Sequence, residues 1–191
     1  VLENPVMPGA KWFSGSELNY AQNLLKGDPD QIAIISIGEN ISPKTLTFKE
    51  LNHRVSSVQK GLSKLGVKKG TIVAGFVPNC AETVISMLAV SSLGGVWTSC
   101  SPDFGANGVV DRFGQVNPHI LITSNGYSYN GKLFKLEEKV NGVLESIDSI
   151  RHIVEIEYVD IKSNFNHDSI ISFGDILNND QTQPTFEQLP F

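Results

Sequence analysis

Short apolar runs alternate with amphipathic stretches along most of this chain. Residues 31–37 form a β-branched run bounded by turn residues, which predicts a buried strand. After Thr47, apolar side chains recur at steps of three and four, which predicts a helix that Gly66 ends. Thr47 and Glu50 have the spacing of a capping box, in which each side chain bonds to a backbone amide of the first turn.

The same alternation continues to residue 159. After Pro78, residues 79–82 repeat the capping pattern ahead of another helix, which Gly94-Gly95 ends. Further strands are predicted at 71–77, 96–100, 119–123 and 152–159, and further helices at about 107–116 and 133–147. Because strands and helices take turns, we predict an α/β fold with a mostly parallel sheet flanked by helices.

The composition changes after residue 159. Residues 160–191 are rich in Asn, Asp, Gln and Pro, with one short helix predicted at about 172–177. We therefore expect three parts: an extended or helical segment over 1–30, an α/β sub-domain over 31–159, and a connecting segment over 160–191.

Composition and charge exclude several classes of function. The chain has 191 residues, of which 40% are hydrophobic and 18% charged, enough for one sizeable core. Its formal net charge is -5 and its longest basic run is Lys68-Lys69, so we expect no nucleic-acid partner. The longest weakly polar stretch, 84–97, is shorter than the roughly 20 apolar residues of a membrane span, so no membrane partner is expected. Cys80 and Cys100 make no disulfide framework and no signal segment is visible, which predicts a cytoplasmic protein.

The segment 126–133 matches the pattern G-x-x-x-x-G-K, between a predicted strand and a predicted helix. A nucleotide-binding P-loop next needs Ser or Thr to ligate Mg²⁺, and Leu133 has no oxygen to offer. Tyr127 and Tyr129 would also crowd a loop that wraps a phosphate. An ordinary strand-to-helix turn is therefore favoured over a P-loop-like nucleotide binder.

No cluster of side chains predicts a metal site or a catalytic nucleophile. The four histidines lack the spacing of zinc ligands. Cys100 and Ser101 lack a G-x-S-x-G elbow and a nearby histidine, so we expect Cys100 to be a small buried side chain. Asp111 and Arg112 are neighbours on a predicted helix, where they pair with other elements more readily than with each other. We assign no catalytic residue and no metal ligand.

Two motifs identify a family. Residues 95–105 read Gly-Val-Trp-Thr-Ser-Cys-Ser-Pro-Asp-Phe-Gly, and residues 111–118 read Asp-Arg-Phe-Gly-Gln-Val-Asn-Pro. Near the start, residues 12–25 read Trp-Phe-x-Gly-x-x-Leu-Asn-Tyr-Ala-Gln-Asn-Leu-Leu. Over nearly the whole chain, the sequence closely resembles the acetoacetate-CoA ligases, or acetoacetyl-CoA synthetases, which are adenylate-forming acyl-CoA synthetases. Residues 187–191 resemble the family's lead-in to its Ser/Thr/Gly-rich phosphate loop, which this sequence lacks.

The resemblance implies the first sub-domain of the large N-terminal domain of an adenylate-forming enzyme. Such ligases activate acetoacetate with ATP and Mg²⁺ as an acyl-adenylate, and then a small C-terminal domain rotates so that the CoA thiol can attack. The phosphate loop, the Mg²⁺-binding acidic residue and the adenylation lysine of the family lie C-terminal to this region. We therefore expect the segment alone to be inactive, to bind none of ATP, CoA or Mg²⁺ tightly, and to have the remainder of its own polypeptide as partner.

The resemblance also implies a path for CoA. Related acetyl-CoA synthetases carry an Arg-x-Gly-Arg set that meets the phosphates of the CoA nucleotide, and the aligned residues here are Tyr129-Asn130-Gly131-Lys132. Lys132 keeps one cation of this set, whereas the bidentate fork of an arginine is lost at Tyr129. Trp97-Thr98-Ser99 ends a predicted strand that resembles one wall of the pantetheine tunnel, although Trp97 fits a core position equally well.

Two other interpretations stay open. Another short- or medium-chain acyl-CoA synthetase would fit as well, because the acyl pocket of the family lies mostly downstream. A non-catalytic interaction module is the second. An isolated half-domain would expose apolar surface and self-associate, whereas a monomer with a closed surface would favour an independent module.

Overall fold

The computed structural model describes residues 1–177 and 182–190. The strands in these ranges are β1 (Leu2–Glu3), β2 (Lys11–Trp12), β3 (Glu17–Leu18), β4 (Ile32–Gly38), β5 (Ile41–Thr47), β6 (Ile72–Phe76), β7 (Val96–Cys100), β8 (Ile120–Ser124), β9 (Gly126–Tyr129), β10 (Lys132–Lys135), β11 (His152–Ile156), β12 (Ile170–Ser172) and β13 (Leu189–Pro190). The helices are α1 (Tyr20–Leu24), α2 (Phe48–Lys64), α3 (Ala81–Ser92), α4 (Ala106–Phe113), α5 (Glu137–Ser146) and α6 (Phe173–Ile176).

Five parallel strands form the central sheet, in the order β12-β11-β8-β6-β7. Counted along the chain from β6, this is the order 2-1-3-4-5 of a doubly wound α/β sheet. The chain first adds β7 on one side of β6 and then crosses to β8 on the other side. In such sheets, ligands bind outside the carboxyl ends of the strands where the order reverses, which here is between β6 and β8.

Helices cover both faces of this sheet. One face packs against α2, α3 and α6 and contributes Ile120 and Ile122 to that core. The other face packs against α4 and α5 and contributes Leu121 and Phe76. Successive residues of β8 thus enter opposite cores, which is why that strand is apolar at adjacent positions.

The predicted fold class, an α/β fold with a mostly parallel sheet flanked by helices, is confirmed. The strands predicted at 71–77, 96–100, 119–123 and 152–159 correspond to β6, β7, β8 and β11. The capping box of α2 is also present. Thr47 Oγ1 accepts a hydrogen bond from the Glu50 amide at 3.2 Å, and Glu50 Oε2 accepts one from the Thr47 amide at 2.8 Å.

The prediction of a buried strand at residues 31–37 is wrong about its burial. The strand is β4, which pairs only with β5 among the described strands, as an antiparallel hairpin outside the central sheet. The side chains of Ile32, Ile35 and Ile37 are 53%, 63% and 72% exposed. A β-branched run fits an exposed two-stranded ribbon as well as a buried strand, so the composition of the run could not decide between them.

The predicted starts of two helices are also corrected. The helix predicted at 133–147 begins at Glu137, because β9 and β10 form an antiparallel hairpin ahead of it. At α3 the N-cap is Cys80, with no hydrogen bond from its side chain to a helix amide, so the expected capping by residues 79–82 is absent. Instead, the Thr83 hydroxyl donates to the Pro78 carbonyl at 2.8 Å and closes the turn before the helix.

The division of the chain at residues 30 and 159 stays a prediction. Within 160–191, β12 adds a fifth strand to the sheet, and the helix predicted at about 172–177 is present as α6. The α6 side chain of Ile176 packs so closely on Gly61 of α2 that a Cβ at Gly61 would overlap it. Residues 178–181 and 191 of the predicted connecting segment lie outside the described residues.

Asn19 joins distant parts of the chain. Its side-chain amide nitrogen donates to the Ser91 carbonyl at 2.9 Å and to the Glu187 carbonyl at 2.8 Å, and Asn19 is 2% exposed. The N-terminal segment, the end of α3 and residue 187 are thereby tied at one buried amide. Polar groups buried in this way are stable only when hydrogen bonded, so the link fixes the position of all three segments.

Candidate functional site

The β4–β5 hairpin contacts three of the segments that follow strands at the carboxyl edge of the central sheet. Lys44 reaches Glu82 in the first turn of α3, after β6. Gly38 packs on Tyr158, after β11. Glu39 reaches Asn130, after β8. Because this edge is where doubly wound sheets bind ligands, the hairpin lies beside the candidate functional site.

The Lys44–Glu82 contact is a partly buried ion pair. The Lys44 ammonium lies 2.7 Å from Glu82 Oε1, and the two side chains are 52% and 11% exposed. Burial alone raises the pKa of Glu82, but the hydrogen bond and charge of Lys44 outweigh it, together with a backbone hydrogen bond, and the pKa lies below its usual value. Glu82 is therefore ionised at neutral pH, and its charge lies at the positive end of the α3 dipole.

The Gly38–Tyr158 contact needs a glycine. A Cβ at Gly38 would overlap the Tyr158 hydroxyl, so a larger residue would displace the Tyr158 side chain or the hairpin. Burial raises the pKa of Tyr158, and the nearby thiol of Cys80 and carboxylate of Glu82 raise it further. Tyr158 is therefore a neutral packing residue at this edge.

Glu39 binds the turn of the β9–β10 hairpin. Its Oε2 atom accepts a hydrogen bond from the Asn130 amide at 2.8 Å, and its Oε1 atom accepts one from the Gly131 amide. Asn130 and Gly131 have φ angles of 49° and 71°, so both residues of this two-residue turn are left-handed, as in a type I′ turn. Successive amides in such a turn form a concave donor pair for an anion, here filled by a carboxylate.

The G-x-x-x-x-G-K pattern lies in the β9–β10 hairpin. The segment is two strands and their turn, so it is neither the favoured strand-to-helix turn nor the strand–loop–helix unit that a P-loop requires. The sequence does contain a signal for this hairpin, the Asn130-Gly131 dipeptide, which the sequence-based prediction did not use. An Asn-Gly dipeptide is the strongest short-range sign of a β-hairpin, and here Tyr127 and Phe134 flank it on the two strands. The two rings stack across the hairpin with centroids 5.1 Å apart.

The predicted CoA-nucleotide residues all lie at this turn. Tyr129, Gly131 and Lys132 are exposed, and Tyr129 and Lys132 are the residues that pair on either side of the turn. Lys132 forms no ion pair within 4.0 Å among the described part of the chain. Its ammonium group is therefore available to an external anion. That these residues bind CoA stays a prediction.

The other predicted site residues lie on β7. Ser99 is exposed, whereas Trp97 and Thr98 are half-buried. Trp97 packs over Gly75 of β6 so closely that a Cβ there would lie 2.5 Å from the indole ring. Since Trp97 also packs against the first core, the structure gives it a packing role, and its place on the pantetheine path stays a prediction.

The loop after β7 joins the two groups of predicted residues. One group lies on β7 of the central sheet, and the other lies on the β9–β10 hairpin, which follows β8 as a separate two-stranded sheet. The Lys139 ammonium of α5 donates to the Pro102 carbonyl at 2.8 Å and lies 5.8 Å from the centroid of the Tyr127 ring. Burial raises the pKa of Tyr127, and Asp103 beside it raises it further. The β7 loop and the β9–β10 hairpin therefore form one continuous wall.

Neither cysteine is an activated nucleophile. Burial raises the pKa of the Cys80 thiol to about 11, and the hydrogen bonds from Thr83 only partly offset this. Burial also raises the pKa of Cys100 in spite of the neighbouring Arg112. The expected burial of Cys100 is confirmed, with 5% exposure. Arg112 instead lies over the Phe104 ring, 4.2 Å from its centroid.

Asn125 is a buried residue of this edge that sequence reasoning missed. Its amide nitrogen donates to the carbonyls of Val159 and Ile161, both at 2.8 Å. Its Oδ1 atom accepts hydrogen bonds from the Tyr158 and Val159 amides at 3.0 and 3.2 Å. One side chain thus fixes the backbone after β11 against the end of β8. A single asparagine between two apolar elements carries no pattern that would reveal this role.

Among residues 1–177 and 182–190, no group of three or more His, Cys, Asp or Glu side chains could hold a metal ion. The helices in the same ranges are all too short or too polar to cross a membrane. At this edge the described residues support anion binding at the β9–β10 turn, where the Asn130 and Gly131 amides bind the Glu39 carboxylate and Lys132 is exposed.

Comparisons with known proteins agree with the motif resemblance. The family model for AMP-binding enzymes matches residues 22–184. An acetoacetyl-CoA synthetase of Xenopus tropicalis is 40% identical over 95% of this chain and 28% of its own length. An acetoacetyl-coenzyme A synthetase of Rhizobium meliloti is 38% identical over 100% of this chain and 30% of its own length. The solved structure of an acetoacetyl-CoA synthetase from Streptomyces lividans superposes with a TM-score of 0.91 at 37% identity, covering 100% of this chain and 29% of that one. The predicted resemblance is confirmed, and the chain spans less than a third of the length of these relatives.

Proposed function

This chain belongs to the AMP-binding enzyme family, and from that membership we propose that it is part of an acid–thiol ligase that activates acetoacetate with ATP and transfers it to CoA. The likeness to acetoacetyl-CoA synthetases over nearly the whole chain supports this reaction. Another short- or medium-chain acid is the alternative substrate, because the resemblance places most of the family's acyl pocket C-terminal to this region.

The chemistry of the proposed reaction explains why two cosubstrates are needed. A carboxylate is a poor electrophile, since delocalised negative charge shields its carbonyl carbon. The carboxylate attacks the α-phosphorus of ATP and expels pyrophosphate, which gives an acyl-AMP mixed anhydride with a good leaving group. The CoA sulfur then attacks the acyl carbon and expels AMP, and the thiol proton is lost to solvent. The second step requires the CoA thiol to be held in the right geometry at the acyl carbonyl, so the enzyme has to bind the CoA nucleotide where the thiol can reach that carbon.

We propose that this chain supplies part of the binding site for CoA. The observation that carries the assignment is the β9–β10 turn, where two adjacent amides bind an anion, the carboxylate of Glu39, and the next residue is the exposed Lys132. Such a set of donors fits a phosphate group of the CoA nucleotide. Trp97, Thr98 and Ser99 on β7 would then border the path of the pantetheine arm.

Mg²⁺ and ATP belong to the proposed reaction of the whole enzyme. The part of the chain that the structure describes offers no carboxylate cluster for Mg²⁺, so we derive no step through the metal. We expect the 191-residue chain alone to have no ligase activity and to bind ATP weakly. Detection of ATP–pyrophosphate exchange with acetoacetate would contradict that expectation.

We also propose that the remainder of its own polypeptide is the partner of this chain. The exposed isoleucines of β4 form an apolar face of the kind that a neighbouring part of a larger domain would cover. Cys80 and Cys100 are both free thiols, which fits the expected cytoplasmic setting.

Isothermal titration with millimolar CoA tests the assignment of the turn. We expect weak binding by the unaltered chain and a several-fold loss of affinity in Lys132→Ala, because a charge-assisted contact to phosphate is removed. Lys135→Ala is the matched control, since Lys135 is exposed on the same strand but three residues further on, where side chains point to the opposite face. Equal affinity in Lys132→Ala and the unaltered chain would remove Lys132 from the site.

A further inference from the structure

The two donors of the β9–β10 turn are occupied by a group of the chain itself. Glu39 uses one carboxylate oxygen for each amide, so the Asn130 and Gly131 N–H groups are both engaged. Glu39 lies 91 residues before Asn130 and 92 residues before Gly131. Its carboxylate therefore connects the tip of the β4–β5 hairpin to the tip of the β9–β10 hairpin. A carboxylate bound by two adjacent amides is the geometry with which such turns bind anions in general.

Glu39 is held at the tip of its own hairpin. It follows Gly38, the last residue of β4, and precedes Asn40, whose φ angle of 58° forms the turn into β5. Glu39, Asn130 and Gly131 are all exposed. Because no core has to open, the carboxylate can exchange with another anion at a small cost, unlike a buried ion pair.

We propose that Glu39 is an internal competitor for the phosphate of CoA, and that CoA binds this turn only after the Glu39 carboxylate leaves the two amides. This inference rests on the proposed function, which brings the CoA nucleotide to Lys132. Lys132 directly follows Gly131, and no described carboxylate, that of Glu39 included, lies within 4.0 Å of its ammonium group, so the lysine stays available to a second anion beside the occupied turn. The two turn amides cannot bind a carboxylate and a phosphate at the same time. The negative charge of Glu39 would also repel a phosphate that approaches the turn.

The remainder of the β4–β5 hairpin would stay in place when its tip releases. Lys44 holds β5 to α3 through Glu82, and Gly38 packs on Tyr158. The movement is therefore confined to the turn around Glu39 and Asn40. Glu39 acts as an autoinhibitory contact that sets the affinity of the site without taking part in any chemical step.

Titration of the chain with CoA, comparing three variants, tests this inference. We expect Glu39→Gln and Glu39→Ala to bind CoA about two- to fivefold more tightly than the unaltered chain, a gain that corresponds to removal of one exposed charge interaction. The gain should shrink as salt is added, because the repulsion is screened. Glu145→Gln is the control, since it removes the same charge from an exposed position of α5.

Amide NMR with inorganic phosphate separates this inference from the proposed function. We expect phosphate to shift the Asn130 and Gly131 amide signals in Glu39→Ala at concentrations that leave the unaltered chain unchanged. If that occurs while no variant binds CoA, Glu39 gates an anion site and the CoA assignment fails. If CoA binds the unaltered chain and both Glu39 variants equally, the gate is wrong and the CoA assignment stands. Glu39→Gln preserves shape, so it keeps the test decisive should Glu39→Ala fail to fold.

Discussion

The Lys44 ammonium lies 2.7 Å from the Glu82 carboxylate, and this ion pair joins the β4–β5 hairpin to the first turn of α3. The two partners differ in burial, since the Glu82 side chain is 11% exposed and that of Lys44 is 52% exposed. Loss of Lys44 therefore leaves a largely buried carboxylate without its cation. Substitution of Lys44 therefore tests how much this ion pair contributes to holding the β4–β5 hairpin against α3.

We expect Lys44→Ala to lower the free energy of unfolding by about 1–2 kcal/mol at neutral pH, less than for a fully buried pair because Lys44 is partly solvated. The pKa of Glu82 is lowered in the folded state, so its contribution is present above its usual pKa and is lost as the pH falls through the folded value. Urea unfolding should therefore show a smaller difference between Lys44→Ala and the unaltered chain at about pH 3 than at neutral pH. Lys162→Ala, at an exposed loop position, serves as the control, and a pH-independent difference would refute the ion-pair account.

Asn125→Ala should be among the more damaging changes at this edge. It removes four hydrogen bonds to the backbone of residues 158–161 and leaves buried polar groups without partners, which we expect to cost about 2–4 kcal/mol of unfolding free energy. Chemical denaturation measures this loss. Asn164→Ala, at an exposed position, should change stability little, and an equally small effect of both substitutions would show that Asn125 does not fix this segment.

Two Gly→Ala changes should have opposite signs. Gly131 has a φ angle of 71°, which an alanine adopts only under strain, so Gly131→Ala should destabilise the chain by about 1 kcal/mol. Gly142 lies inside α5, where an added Cβ would meet Ala106 at an ordinary contact distance of 3.4 Å. Gly142→Ala should therefore stabilise the chain by about 0.5–1 kcal/mol. Thermal melts measure both changes. A melting temperature of Gly131→Ala at or above that of the unaltered chain would contradict the left-handed turn, and a lower melting temperature of Gly142→Ala would contradict the open position in α5.

His152 should make the chain less stable in mild acid. Burial lowers its pKa most, and the nearby charges of His119 and His167 lower it further, so the folded chain disfavours protonation. The unfolded chain takes up this proton at a higher pH, so stability falls as the pH drops below about 6.5. His152 Nδ1 lies 2.7 Å from the Ser169 hydroxyl, and the His119 ring lies 5.9 Å away, centroid to centroid.

His152→Asn should reduce this pH dependence, because asparagine is polar but does not titrate. Melting temperatures at about pH 7.5 and pH 5.5 provide the comparison. His53→Asn, on α2, is the matched control and should keep the pH dependence of the unaltered chain. A full acid-induced loss of stability in His152→Asn would assign the effect to other groups.

The sequence predicts the central sheet because strands buried on both faces leave an unambiguous pattern. Residues of β6, β8 and β11 are apolar at adjacent positions and lie between periodic helices, so their burial and parallel order follow from general rules. The β4 strand has a similar composition, yet it is half exposed. What distinguishes it is its partner β5, and pairing is a long-range property that a local run does not encode.

The candidate site is less accessible to such reasoning. Lys132 and Gly131 can be aligned with a family motif, but the turn that presents them depends on Asn130 and Gly131 both adopting left-handed angles. Glu39 binds that turn across 91 residues of sequence, and no local pattern links the two hairpins. The sequence shows that Lys132 could bind an anion, whereas the contact between the two hairpin turns determines that the Asn130 and Gly131 amides are already bound to Glu39.

The central claim is that the carboxyl edge of this sheet receives CoA, and amide NMR of the isotope-labelled chain titrated with millimolar CoA tests it most directly. We expect the largest shifts at residues 129–132 and 97–99, with little change at His119 and His152 on the opposite edge. Shifts confined to that opposite edge, or none at saturating CoA, would contradict it.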